Sequence, residues 1–283
     1  MNTTTSLASE ATPTAHPPAP SPSTTRPSRT RRAISRTLAA FTLAAGVTLL
    51  ASCNAQAPGD LGRLQSLHQN CPKDQLVNAY VTTDGSATSS AEAIINERLT
   101  AIKTVVERVA VCGGHLTVTA FATNSVTVPI YDADIQIDGS TDLARLRQVP
   151  DVVEEVMTQV TSGYEPAVAA LPSGGTDVVG VYRVFGEAKA LRPDMRFEAV
   201  ALTDGVTNQG IVFDHSLTPD EASALADAVT VPDLSESSLS VVGIGRVAGD
   251  PLPSEFIEGM KAFYTRLCEK TQAERCLVVT DGE

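Results

Sequence analysis

Apolar positions along the chain alternate between two rhythms. Residues 75–83 are an apolar run of strand length, and 115–122 is another. Between them, residues 89–111 carry Ile94, Ile95, Leu99, Ile102, Val105, Val106 and Val109 at helical spacing. Residues 125–137 read as a further strand, joined to 115–122 by a short Thr123-Asn124 turn. Pro129 inside it marks an edge strand, where a missing backbone donor is tolerated. Residues 150–170 read as a helix that opens with Pro150 and Asp151 and stops before Pro172. A helix over 177–191, a strand over 195–203 and a helix over 218–228 follow, the last opened by Thr218-Pro219-Asp220-Glu221. A strand over 239–247, a helix over 253–268 and a short strand over 276–280 complete the order. No internal repeat is visible. This succession predicts an α/β fold: an open, doubly wound, Rossmann-like sheet, mostly parallel with one antiparallel edge strand, and helices on both faces. Ligands of such sheets bind outside the carboxyl ends of the strands, so the segments just after each strand are where chemistry is expected.

Composition sharpens the picture at two points. The chain has 283 residues, 42% of them hydrophobic, yet no Trp and only 4% aromatics. A core of Val, Leu, Ile and Ala is therefore expected, which suits a buried parallel sheet. Residues 1–52 hold five Arg and one acid (Glu10) of the chain's 21 basic and 33 acidic residues, so the remainder carries −16. A body this acidic repels phosphate backbones, which argues against nucleic acid as a partner.

The first segment reads as a targeting signal. Residues 1–30 are rich in Thr, Ser, Pro and Ala and cannot bury enough apolar surface to fold. Arg29, Arg31, Arg32 and Arg36 come next, then an apolar run over 38–51. That run is shorter than the roughly 20 residues that cross a bilayer, and the order basic, apolar, small is that of a secretory signal. Its end, Leu50-Ala51-Ser52-Cys53, resembles the lipobox of bacterial lipoproteins. The resemblance implies that Cys53 is lipidated and becomes the first residue after cleavage. Two acyl chains on that cysteine are enough for stable anchoring. The segment around Arg31-Arg32 also loosely resembles a twin-arginine export signal. The organisation expected is a disordered extension and signal over 1–52, a lipidated cysteine and linker over 53–70 with a short helix near 61–68, and one domain over 71–283. The localisation expected is the extracytoplasmic face of a bacterial membrane.

Three oxygen-rich segments follow predicted strands or open predicted helices. They are Asp84-Gly85-Ser86-Ala87-Thr88, Ser173-Gly174-Gly175-Thr176-Asp177, and Thr203-Asp204-Gly205, whose Asp204 is expected on a surface loop. Carboxylates and hydroxyls without His or Cys suit a hard cation such as Mg²⁺ or Ca²⁺. Two acids and three hydroxyls leave part of an octahedron for water or a ligand. The three segments resemble the metal-ion-dependent adhesion site of the von Willebrand factor type A (vWA) family: Asp-x-Ser-x-Ser after the first strand, a Thr in a later loop, and an Asp after the fourth strand. The matching positions are Asp84, Ser86 and Thr88, then Thr176, then Asp204. The departure is Thr88, where the family usually has Ser; it keeps the hydroxyl and adds a methyl group that coordination must accommodate. The resemblance implies one divalent cation, Mg²⁺ first and Mn²⁺ or Ca²⁺ otherwise. It also implies that an acidic residue of a protein partner, in the envelope or outside the cell, completes the metal's shell. Two rival classes are a metal-dependent hydrolase and a solute-binding lipoprotein. No Lys or Arg in the three loops could stabilise a transferring phosphoryl group, so no enzymatic activity is expected.

The four histidines, at 16, 68, 115 and 215, show no ligand spacing and read as structural or solvated. Beyond Cys53, four cysteines remain: Cys71, Cys112, Cys268 and Cys276. In an oxidising compartment they allow three pairings of two disulfides. Cys71 precedes the first strand and Cys112 follows the first helix, whereas Cys268 and Cys276 flank one helix-to-strand connection. Proximity favours Cys71–Cys112 and Cys268–Cys276; no close Cys-x-x-Cys pair points to zinc. The anchor is tested by Cys53→Ala, which should move the protein from the membrane fraction to the soluble one. A variant that stays membrane-bound at high salt would refute lipidation.

Overall fold

The structure is a computed structural model, and it describes residues 59–281. The signal, Cys53 and residues 54–58 lie outside the described residues. Helix α1 (Gly59–Gln69) is followed by β1 (Val77–Asp84), α2 (Glu92–Cys112), β2 (Gly114–Phe121) and β3 (Thr127–Ile135). Next come α3 (Asp142–Leu146), α4 (Val149–Ala169), α5 (Val181–Leu191) and β4 (Arg196–Leu202). A two-residue-per-strand hairpin, β5 (Asn208–Gln209) and β6 (Ile211–Val212), precedes α6 (Pro219–Asp227), β7 (Ser238–Val242), α7 (Ser254–Lys270) and β8 (Arg275–Val279).

Six strands form one sheet in the order β3-β2-β1-β4-β7-β8, parallel throughout except for β3. This is the doubly wound sheet the pattern predicts, with its antiparallel strand at the edge. Pro129 sits where the β2–β3 register shifts between Val118 and Thr119, so its missing donor falls at a bulge. His115 of β2 reaches Asp134 through Nδ1 at 2.7 Å and Asp132 through Nε2 at 2.5 Å, and so fastens β3 to its neighbour.

Strand β1 is buried along its whole length, as the centre of a parallel sheet must be. Its alternation serves two cores. Val77, Ala79 and Val81 face Ile102, Val106, Val153, Val156 and Val160 of α2 and α4. Tyr80 faces the opposite layer with α5 and α7, where Phe121, Tyr182, Phe185, Phe197, Phe263 and Tyr264 collect. The aliphatic core expected from composition therefore describes one face, where Tyr164 is the one buried aromatic of the cluster. The few aromatics concentrate on the other, in edge-to-face pairs such as Phe263–Tyr264 at 5.2 Å.

Three boundaries differ from the sequence pattern, each for a local reason. The short helix expected near 61–68 runs from Gly59 to Gln69, and its Leu64 is 2% exposed within the aliphatic core. The helix expected from 177 starts at Val181, because Asp177 Oδ1 accepts the Gly180 N–H and holds 177–180 in a turn. The strand expected over 239–247 stops at Val242, because Gly243 and Gly245 take φ of +102° and +82° and turn the chain over the sheet edge. The hairpin β5–β6 and helix α3 carry too few residues for a periodic signal. By contrast, the capping box of Thr218 and Glu221 opens α6 as the sequence predicts.

Both predicted disulfides are formed, Cys71–Cys112 and Cys268–Cys276. They lie at the amino ends of β1 and β8, opposite the carboxyl ends of the parallel strands. Replacing Cys71 and Cys112 together by Ser should lower the unfolding free energy by about 2–4 kcal/mol. Urea denaturation checks this, and an unchanged midpoint would show that the bridge contributes nothing to stability.

Candidate metal centre

The parallel register of β1 with β4 sets Thr83 opposite Leu202. The next residues, Asp84 and Thr203, are therefore neighbours at the strand ends, and Asp204 lies one step further. Thr203 Oγ1 donates to Asp84 Oδ2 at 2.8 Å and accepts the Gly205 N–H at 3.0 Å. Gly205 has φ of +79°, a conformation that glycine adopts without penalty. Asp84 Oδ1 accepts the Ser86 N–H at 2.8 Å, which bends the chain into a single 3₁₀ turn over Ala87–Ser89. That turn brings the Ser86 and Thr88 hydroxyls within 3.1 Å of each other. The extra methyl of Thr88 has not turned its oxygen away from the cluster.

Thr176 arrives from the α4–α5 connection. Its N–H donates to Asn208 Oδ1 at 2.8 Å, and its carbonyl accepts from the Asn208 N–H and the Thr207 hydroxyl, each at 3.1 Å. Gln209 ties the same loop at Gly174 O and reaches Asn124 N–H. The small β5–β6 hairpin is thus the clamp that sets Thr176. A second clamp comes from the turn after β7: Gly245 N–H donates to Asp204 O, and Ala248 N–H donates to Thr88 O at 2.6 Å.

Ser86, Thr88 and Thr176 line one cavity of about 410 Å³, together with Val168, Leu171 and Asn208. No Lys or Arg lines it. The two carboxylates lie in the fold beneath, Asp84 1% exposed and Asp204 fully buried. The surface loop expected for Asp204 is corrected here: the residue is enclosed by Gly245, Val206 and Ser89. Its Oδ1 accepts the Val206 N–H at 2.9 Å and its Oδ2 accepts the Ser89 hydroxyl at 3.2 Å. Burial, and secondarily the Asp84 charge, push its carboxyl up to about 6; Thr88, the Val206 N–H and Arg98 oppose the rise.

The donors fit a hard divalent cation. They are oxygens only, two of them on buried like charges that a cation would offset. Among the described residues no three His, Cys, Asp or Glu gather tightly enough to hold a metal, so hydroxyls must share the coordination. Sequence reasoning missed Thr203, Ser89, Asn208 and Arg98. Arg98 alone left a sequence signal, a charged residue in the stripe of Ile94, Ile102 and Val106.

The strand order and the helices on both faces define a doubly wound α/β domain, the architecture that the vWA resemblance implies. No protein-family model matches the chain, and no curated protein matches it. Solved structures of similar shape include BatB from Bacteroides thetaiotaomicron, 11% identical, covering 74% of this chain and 91% of its own, with a TM-score of 0.39. A von Willebrand factor type A protein from Catenulispora acidiphila is 16% identical over 74% of this chain and 39% of its own, with a TM-score of 0.34. The manganese-loaded TRAP protein of Plasmodium vivax is 15% identical over 66% of this chain and 63% of its own, also at 0.34.

The Asp204 shift has a definite sign. An acid raised above its ordinary 3.8 favours the folded state fully below that value, and the contribution is lost as pH rises through about 6. In chelator, Asp204→Asn should therefore gain stability relative to wild type between pH 4 and pH 7, by on the order of 3 kcal/mol. Urea midpoints across that range check it; a difference independent of pH would mean that Asp204 titrates as an ordinary carboxylate.

Proposed function

We propose that this chain is a membrane-anchored, extracytoplasmic vWA-like lipoprotein domain that binds a divalent cation and, through it, an acidic group of a protein partner. Asp84, Ser86, Thr88, Thr176 and Asp204 would hold the ion, with Mg²⁺ the first choice and Mn²⁺ or Ca²⁺ alternatives. The observation that carries the reading is the convergence of three loops on one cavity with two buried carboxylates beneath it. When bound, the ion would supply a Lewis-acidic position open to a partner's carboxylate. The cavity has no cationic side chain of its own, so a carboxylate from a partner has no other strong partner there.

The same feature favours binding over turnover. A phosphoryl-transfer site needs positive groups around the reacting oxygens, and Arg98, the buried cation nearby, is directed to Asp84 O and Ser89 Oγ rather than lining the cavity. The anchor part of the reading rests on the signal and Cys53. No helix of the described residues is long and apolar enough to cross a membrane.

Thermal unfolding of the protein in Mg²⁺, Mn²⁺, Ca²⁺ and chelator tests the metal. At a hundredfold excess over Kd the ion should add about 2.7 kcal/mol of stability, a rise of roughly 5–10 °C in Tm. Asp204→Ala should abolish the rise, and Ser86→Ala, which removes a neutral donor, should reduce it less. Equal midpoints in all four conditions would sink the metal reading. Pull-down from the native envelope with and without chelator tests the partner; capture that ignores chelator would count against recognition through the ion.

A further inference from the structure

Arg98 breaks the pattern of its helix. Ile94, Ile102, Val106 and Val109 form the buried stripe of α2, and Arg98 stands between the first two, only 6% exposed. A guanidinium removed from water needs acceptors, and the aliphatic core supplies none. Its Nη1 donates to the backbone carbonyl of Asp84, and its Nη2 donates to Ser89 Oγ at 2.7 Å. Ser89 is itself 2% exposed and donates its own proton to Asp204 Oδ2. One buried cation thus reaches the main chain of one candidate ligand and, through a single hydroxyl, the carboxylate of the other. Its hydrogen bonds go to two neutral oxygens, so its charge is spread over the cluster and not consumed by one partner.

We propose that Arg98 is a resident counter-cation, a positioning residue that sets how strongly this site depends on a bound ion. The inference rests on the metal reading above. Without a divalent ion, its fixed charge offsets part of the repulsion between Asp84 and Asp204, and its hydrogen bonds to Asp84 O and to Ser89, which in turn donates to Asp204, hold both carboxylate-bearing segments in the geometry that an ion would find. Arg98 and an incoming cation act on the same carboxylates. Each therefore diminishes what the other can contribute, and by reciprocity Arg98 weakens cation affinity while sparing the empty site from collapse.

The experiment measures thermal midpoints of the full-length protein in detergent, wild type against Arg98→Met and Arg98→Lys, in chelator and in saturating Mn²⁺. Arg98→Met should lose on the order of 10 °C in chelator and less than half of that in Mn²⁺, so its metal-induced shift exceeds that of wild type. Arg98→Lys, which keeps the charge, should recover most of the loss in chelator. An equal loss in both conditions, or a Lys variant as damaged as the Met variant, would overturn the proposal and leave Arg98 a packing element. Should Arg98→Met fail to fold in either condition, Arg98→Lys decides: a midpoint near wild type in chelator supports the charge role, and failure to fold overturns it. A wild type insensitive to Mn²⁺ sinks the metal reading alone, and the chelator comparison of the two variants still tests Arg98.

Discussion

Asp84 and Asp204 end adjacent parallel strands, and the register of β1 with β4 forces them close together in the fold, both out of reach of bulk water. Two like charges there are unfavourable unless something offsets them. Much of the surrounding architecture is an answer to that constraint. Backbone N–H groups of Ser86 and Val206 and hydroxyls of Thr203 and Ser89 each turn toward a carboxylate oxygen. Arg98 supplies fixed positive charge from below. What remains is one edge of the cluster, where Ser86, Thr88 and Thr176, with Ser173 and Asn208, line an open cavity. The polar groups below are committed to each other, and above them the Ser86 and Thr88 hydroxyls share one hydrogen bond.

The loops that complete this arrangement are held by one another more than by the sheet. Asn208 fixes both backbone groups of Thr176, Gln209 bridges two loops, and the glycine-rich turn after β7 reaches back to Asp204 and Thr88. Such a network is cooperative: displacing one loop removes partners from two others. A ligand that repositions Thr88 would therefore be felt at Ala248 and, through that turn, at the start of α7.

The fold was legible in the sequence because its signals are long. Runs of apolar residues at strand length, and helices of three turns or more, survive any single exception. The grouping of the oxygen-rich loops was legible for a different reason: a parallel sheet brings every strand's carboxyl end to one edge, so the residues just after β1 and β4 could be placed together without knowing any distance. What sequence could not supply was depth and support. Asp204 follows a strand and precedes a glycine, which reads as surface, yet the turn at Gly243 and Gly245 folds over it. Asn208 and Ser89 act through hydrogen bonds to residues distant in the chain, Thr176 and Asp204, which leave no periodic trace. Arg98 did leave one, since an arginine four residues from Ile94 and from Ile102 has to be buried with a partner or swung out of the stripe.

Covalent and non-covalent restraints are divided between the two ends of the sheet. Both disulfides staple the end where β1 and β8 begin. The site end carries none and relies on the hydrogen-bonded loops. Helix α1 packs beside the later part of α2, with Arg63 paired to Glu107 and Arg108 reaching Asn70 O, and α2 runs away from the site toward Cys112. The chain therefore enters the domain at the stapled end. On the lipid-anchor reading, the five residues from 54 to 58 join Cys53 to Gly59, a reach of under about 20 Å. On that reading, so short a tether would keep the stapled end near the bilayer and turn the open cavity outward. The loops of the candidate site can therefore shift without straining either disulfide.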